Sequence, residues 1–292
     1  MVTSSSITPG SIIAGKYRID AAIGDGGMAS VFAAYSSALG SHVAIKLLKP
    51  ELAMDLNLVG RFVREGRIAA RIDSPHVARI HEFGICHTNC VPFIAFELLH
   101  GDDLEKVLAA HGPMPVSLAV DYVMQALVGV AAAHSHGIAH RDLKPANLFR
   151  VQTPGQPPLI KVLDFGVAKA LRGLELDRGP QTSTSALMGT PPYMAPEQLR
   201  SSKRIDARAD IWSLGVVLYE LLTAAHPFDG ATFGALLAAI MKGSPVPIER
   251  HRADLPPPLV AVILKCLQKE RDQRFQSVKE LATALAPFGS QT

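Results

Sequence analysis

Short apolar runs separated by glycine and serine open the chain. Residues 17–19, 31–35 and 43–45 are β-prone and predict three strands, and 78–83 and 92–96 predict two more around a turn-rich ICHTNC stretch. Between them Leu56, Val59, Phe62, Val63 and Ile68 recur at helical spacing with basic residues on the opposite face, which predicts a helix over 56–72. Beyond Gly101 the texture changes to apolar helical runs at 118–133, 211–225, 233–241 and 258–267. A small β-rich region therefore precedes a larger helical one, with the junction near His100-Gly101-Asp102 and no internal repeat. The runs at 118–133 and 211–225 are interrupted by Asp121, Gln125 and Glu220, and they read as buried helices too short and too polar to span a bilayer. Two loops stand out: a Pro/Gly turn at 152–158 between strand candidates, and a long, hydroxyl-rich stretch at 171–185 of the kind that carries function.

Composition changes this picture at three points. With 292 residues, 48% hydrophobic and 19% charged, the chain can bury a sizeable core and is not a solvated, disordered polymer. Its 29 Lys and Arg against 26 acidic residues leave a net charge of +3, too small to make nucleic acid or an anionic membrane the main partner. Three cysteines supply no disulfide framework, so a reducing cytoplasm is the expected home, with a membrane anchor beyond Thr292 left open. The polar start MVTSSSITPG lacks the layout of a secretory signal, and residues 1–12 are expected to be a flexible leader.

Candidate chemistry lies in four ordered motifs. Gly24-Asp25-Gly26-Gly27-Met28-Ala29-Ser30-Val31 sits between two strand candidates, where glycines would let backbone N–H groups approach phosphate oxygens. Ala29 stands where a third glycine is usual, and a strand rather than a helix follows, which argues against a dinucleotide-binding turn. An upstream match to a P-loop, Gly10 to Lys16, fails because Tyr17 replaces the Mg²⁺-binding hydroxyl and no strand precedes it. The second motif is Val43-Ala44-Ile45-Lys46. The third is His140-Arg141-Asp142-Leu143-Lys144-Pro145-Ala146-Asn147, and the fourth pairs Asp164-Phe165-Gly166 with Ala195-Pro196-Glu197. Each is weak alone; in this order they form a signature.

From about Tyr17 to Phe288 the sequence resembles the eukaryotic-like serine/threonine protein kinases of bacteria. The resemblance implies an α+β, two-lobed fold with a small β-rich N-lobe (13–99) holding one main helix and a larger helical C-lobe (100–288), an activation segment at 164–197 and a tail at 289–292. It implies that Gly24, Asp25, Gly26, Gly27, Ala29 and Val31 cover the phosphates of ATP, that Lys46 grips the α- and β-phosphates, and that Glu65 pairs with Lys46. Glu51, the other candidate acid, lies before the helix proper. Asp142 would orient the acceptor hydroxyl and take its proton, Lys144 would contact the γ-phosphate, and Asn147 and Asp164 would hold Mg²⁺, with Mn²⁺ as a substitute. The adenine would lie among Ile23, Val31, Ala44 and Leu148, with a bulky Phe96 closing the back of the pocket and the Glu97 carbonyl and the Leu99 N–H on its edge.

The same resemblance implies regulation and a structural frame. Arg141 is a natural partner for a phosphorylated loop, and Thr182 and Thr184 take the spacing of autophosphorylated threonines in related kinases. Thr190 matches the threonine that touches the catalytic aspartate and, with Lys144, favours Ser/Thr acceptors on protein substrates. A homodimer would serve trans-autophosphorylation. Glu197 and Arg274 match a buried ion pair, Asp210 the brace of the catalytic loop with His134 packed nearby, and His140 and Phe165 a stacked pair. Gly66 inside the main helix predicts a loosely held element. His81, Cys86, His87 and Cys90 are only a loose match to zinc spacing and are read as packing. The competing classes are a nucleotide-binding pseudokinase and a pure interaction module. The intact set of Lys46, Asp142, Asn147 and Asp164 argues for an enzyme.

Overall fold

The alternation of the first hundred residues folds into one antiparallel sheet. Its strands are β1 (Ile12–Ile13), β2 (Tyr17–Asp25), β3 (Ala29–Ser36), β4 (Ser41–Leu48), β5 (Ile80–Ile85) and β6 (Pro92–Glu97), in the order β1-β2-β3-β4-β6-β5. The computed structural model describes residues 7–86, 91–165, 191–200 and 205–290, apart from the side chains of Arg61 and Glu65. The chain divides into two units, residues 1–73 with 78–100 and residues 74–77 with 101–292.

In the first unit the two-residue period of β4 sorts the core. Val43, Ile45 and Leu47 enter a buried cluster with Ile19, Phe32 and Phe93. Leu48, on the alternate set with Ala44 and Lys46, joins Ala29, Phe62 and Ile94 in a second cluster that seats α1 (Leu56–Ala69). Asp55 caps α1 by accepting from the backbone N–H groups of Asn57 at 2.8 Å and Leu58 at 3.3 Å. The helix ends three residues before the predicted Ile72. Gly66 faces the sheet. A Cβ there would lie 2.8 Å from Phe83 Cβ and 3.2 Å from Ile94 Cγ1, so the missing side chain is what lets α1 approach β5 and β6.

The second unit holds a three-stranded sheet, β7 (Gly101–Asp103), β8 (Leu148–Val151) and β9 (Leu159–Val162). Its helices are α2 (Leu104–His111), α3 (Val116–Ser135), α4 (Pro196–Leu199), α5 (Arg208–Thr223), α6 (Phe233–Lys242), α7 (Pro257–Cys266) and α8 (Val278–Leu285). Every α5 residue from Ala209 to Tyr219 is buried, as expected of a helix apolar all round. Trp212 on α5 stacks on Phe228 at 5.3 Å, and the Lys269 ammonium sits 3.8 Å from the Phe228 ring while donating to the Ile240 carbonyl at 2.7 Å.

Two expectations need correction. At 20 residues α3 is long and apolar enough to cross a membrane by length and composition, contrary to the reading of 118–133 as too short. Its Val120, Val123, Leu127 and Val130 are buried within the unit, which is the behaviour of a core helix. The boundary drawn between 13–99 and 100–288 also misses a segment: Ser74–Val77 belongs with the second unit. Val162 N–H donates to the His76 carbonyl at 2.8 Å, Val77 bridges Val162, and a Cβ on Gly129 of α3 would collide with that same His76 oxygen at 2.5 Å.

Candidate active site

On the first unit, the glycine-rich turn joins β2 to β3, and its tip closes by a bond from Gly26 N–H to the Ala29 carbonyl at 2.9 Å. Gly24, Gly26 and Gly27 all have ordinary negative φ, so what they contribute is bare backbone; a Cβ on Gly27 would meet nothing within 4 Å. Ala29 costs no strain, because its φ is also not left-handed, and its methyl is buried in the cluster that seats α1. Ile23 is 50% exposed, an apolar side chain left open beside the turn. Lys46 on β4 lies directly across from Val31 on β3 and Ile94 on β6, and Ala44 pairs Phe96, so these positions share one face of the sheet. Glu97 ends β6 and its carboxylate accepts from Arg79 N–H at 2.8 Å; Leu99 follows it, half-buried.

The second unit assembles the other half of the predicted set. Asp142 is buried, and Asn147 donates through Nδ2 to its carbonyl at 2.8 Å and its carboxylate at 3.2 Å. His140 Nδ1 accepts from Asp142 N–H at 3.2 Å, which leaves Nε2 protonated and donating to the Leu163 carbonyl at 2.8 Å. Leu163 N–H returns a bond to the Asn147 carbonyl at 2.9 Å. The loop and the residue before Asp164 are thereby laced together. Arg141 and Asp164 both take left-handed backbone, with φ of 65° and 49°, a strain that persists only where the surroundings over-determine it. Phe165 is buried with its ring 4.8 Å from that of His140. Leu148 is buried and Lys144 half-buried.

Asp210, fully buried on α5, holds the backbone at Arg141. Its Oδ1 accepts from Arg141 N–H at 2.7 Å, and its Oδ2 accepts from His140 N–H at 2.8 Å and contacts His134 Nε2 at 2.7 Å. Arg274, with its side chain wholly buried, forks onto Glu197 through two bonds of 2.8 Å. Gln198 on α4 donates to the Arg141 carbonyl at 3.0 Å. The sequence reading did not single out Gln198, nor a second buried cluster in which the Tyr193 hydroxyl donates to Glu220 at 2.7 Å with His226 against the Tyr193 ring. Burial pushes the Glu220 carboxyl above the usual range, and burial with the neighbouring Glu220 charge does the same to the Tyr193 phenol. The one sequence clue was that Tyr193 and Glu220 are polar residues within otherwise apolar surroundings.

Thr182, Thr184 and Thr190 lie outside the described residues, as do Gly166, His87, Cys90 and the Glu65 side chain. Of the zinc candidates, Cys86 is buried and its Sγ accepts from Ala14 N–H at 3.3 Å; among the described residues no three His, Cys, Asp or Glu side chains gather to hold a metal.

A family profile described as "Protein kinase domain" matches residues 17–284. Serine/threonine-protein kinase PknB of Mycolicibacterium smegmatis is 37% identical over 92% of this chain, which spans 42% of that relative's length. The Mycobacterium tuberculosis PknI kinase domain superposes with a TM-score of 0.75 at 26% identity, covering 97% of this chain and 98% of that one. Rad53 residues 1–466, solved in complex with AMP-PNP, superposes at 0.74 and 26% identity over 92% of this chain and 65% of its own. The ordered motifs, the laced catalytic loop and these likenesses converge: the chain belongs to the protein kinase family, as a catalytic domain of the bacterial serine/threonine type.

Proposed function

We propose that this chain transfers the γ-phosphate of ATP to serine and threonine hydroxyls of proteins with Mg²⁺ as its metal, in the cytoplasm. The observation that carries this is the Asp142–Asn147 pair, with its 3.2 Å and 2.8 Å bonds, tied by the Leu163 N–H to the Asn147 carbonyl at 2.9 Å, one residue before Asp164. A carboxylate fixed in this way is suited to orient an acceptor hydroxyl and take its proton at Oδ. Lys46 and Lys144 would neutralise phosphate charge. Asn147 spends its amide N–H on Asp142 and keeps its amide oxygen for a cation, and Asp164 adds a carboxylate. That oxygen set suits a hard ion, and phosphate oxygens and water would complete the shell. When bound, the metal neutralises the phosphate oxygens as charge develops.

AMP-PNP in the Rad53 complex supports ATP as the donor. The relatives carry the name serine/threonine-protein kinase, and none of them favours the pseudokinase reading. Arg141 supports activation by loop phosphate: its Nε is buried with no hydrogen-bond partner among the described residues, while its Nη2 donates to the Ile205 carbonyl at 3.1 Å. Thr182 and Thr184 are the proposed acceptors, phosphorylated in trans by a second copy. Mass spectrometry after incubation with Mg·ATP tests this: wild type gains phosphate on the 171–185 loop and Asp142→Asn does not. Nucleotide binding without any transfer would return the pseudokinase.

A further inference from the structure

The glycine-rich turn carries one carboxylate, Asp25, in the segment that the function proposed above lays over a triphosphate. Its neighbours account for it. Asp25 pairs Ser30 across β2 and β3, and its Oδ1 accepts from Ser30 Oγ at 2.7 Å. Lys49, just past the end of β4, places its ammonium 3.1 Å from Oδ1 and 3.3 Å from Oδ2 of the same carboxylate. The backbone N–H of Lys49 donates to the Met28 carbonyl at 2.9 Å. One residue thus grips the turn at its base and near its tip. The ammonium side chain is 29% exposed while that of Asp25 is 71% exposed, so the lysine is packed and the acid reaches out to it. Hydrogen bonds from Ser30 and Lys49 hold the Asp25 carboxyl below the usual range, which keeps it charged wherever a kinase works.

We propose that Lys49 is a positioning residue for the nucleotide: it fastens the glycine-rich turn to the end of β4 and cancels the one carboxylate that would repel the phosphates. Lys46 is a different cation, set within β4 opposite Val31, three residues earlier. The assignment rests on the turn covering ATP, and it separates charge cancellation from simple support. Removing the ammonium leaves an uncompensated negative charge on the turn, whereas removing both partners does not.

The test is calorimetric titration of Mg·ATP and of adenosine into wild type, Lys49→Gln, Lys49→Arg and the double variant Asp25→Asn/Lys49→Gln. Lys49→Gln is expected to weaken Mg·ATP about two- to fivefold, the size of one half-exposed ion pair, with adenosine unchanged. Lys49→Arg is expected to bind Mg·ATP as wild type does, and the double variant to regain part of the affinity that Lys49→Gln loses. Equal Mg·ATP affinity in Lys49→Gln, equal weakening of ATP and adenosine, or a double variant as weak as Lys49→Gln would each overturn the proposal. A wild type that binds Mg·ATP with this pattern yet transfers no phosphate would overturn the kinase reading and leave this role standing.

Discussion

Replacing Asp210 tests how the catalytic loop is held. In Asp210→Ala the backbone N–H groups of His140 and Arg141 lose acceptors 2.8 Å and 2.7 Å away, and His134 loses its partner. A hydrogen bond to a charged group contributes about 1.5–3 kcal/mol, so the two amides alone put the loss at roughly 3–6 kcal/mol. That is a large share of the about 5–15 kcal/mol that stabilises a typical domain. Asp210→Asn keeps one good acceptor and turns the other into a donor facing a donor, which costs about half as much. Trp212, the chain's single tryptophan, lies two residues away on the buried α5 and reports unfolding directly. The assay is urea denaturation followed by its fluorescence, with hydrogen exchange at the His140 and Arg141 amides. The expected order of stability is wild type, Asn, Ala, with unchanged m-value and early loss of protection at those two amides. An Ala variant within about 1 kcal/mol of wild type, less than one such bond, would refute the brace.

Glu197→Ala leaves a wholly buried Arg274 guanidinium without its carboxylate and is expected to cost about 3–5 kcal/mol by denaturant midpoint. Two glycines of α1 should respond oppositely. Gly66→Ala meets Phe83 and is expected to destabilise by about 1–3 kcal/mol. Gly60→Ala enters open space and is expected to stabilise by roughly 0.5–1 kcal/mol, both read as melting temperature. The Glu220 carboxyl titrates above its unfolded value because it is buried, so the native state binds more protons there than the unfolded chain does. Its contribution is full below the ordinary carboxylate range and fades as pH rises through the raised value; Glu220→Gln should remove that decline from a pH series of unfolding midpoints. Chelation of Mg²⁺ is expected to abolish phosphoryl transfer while leaving the fold intact by circular dichroism.

Local pattern carried the strands and the main helix into the sequence reading because the two-residue and 3.6-residue periods survive there. Val43, Ile45 and Leu47 announce a buried strand face, and Phe62 with Val59 a helix stripe. The candidate catalytic residues were legible for a different reason: the ordered motifs, His140 to Asn147 among them, resemble those of the serine/threonine kinases, and their roles are what that resemblance implies. Contacts between residues distant in sequence were not legible. Nothing near Gly66 announces Phe83, and nothing near Ser74–Val77 says that His76 will pair with β9 across 84 residues to Ile160. Nothing in the sequence sets Lys49 apart; it is the β2–β3 turn that brings Asp25 beside it. The length of α3 was underestimated, whereas its reading as a buried helix holds, with Val120, Val123, Leu127 and Val130 in the core of the second unit.

The central claim is that Asp142 works on an acceptor hydroxyl while ATP supplies the phosphate. Transfer of labelled γ-phosphate from Mg·ATP to a protein substrate, followed by phosphoamino-acid analysis, tests it most directly in wild type and Asp142→Asn. Label on serine and threonine, reduced at least about a hundredfold in the variant, is the expected result. Label on neither residue in wild type, or equal rates in the two proteins, would contradict it.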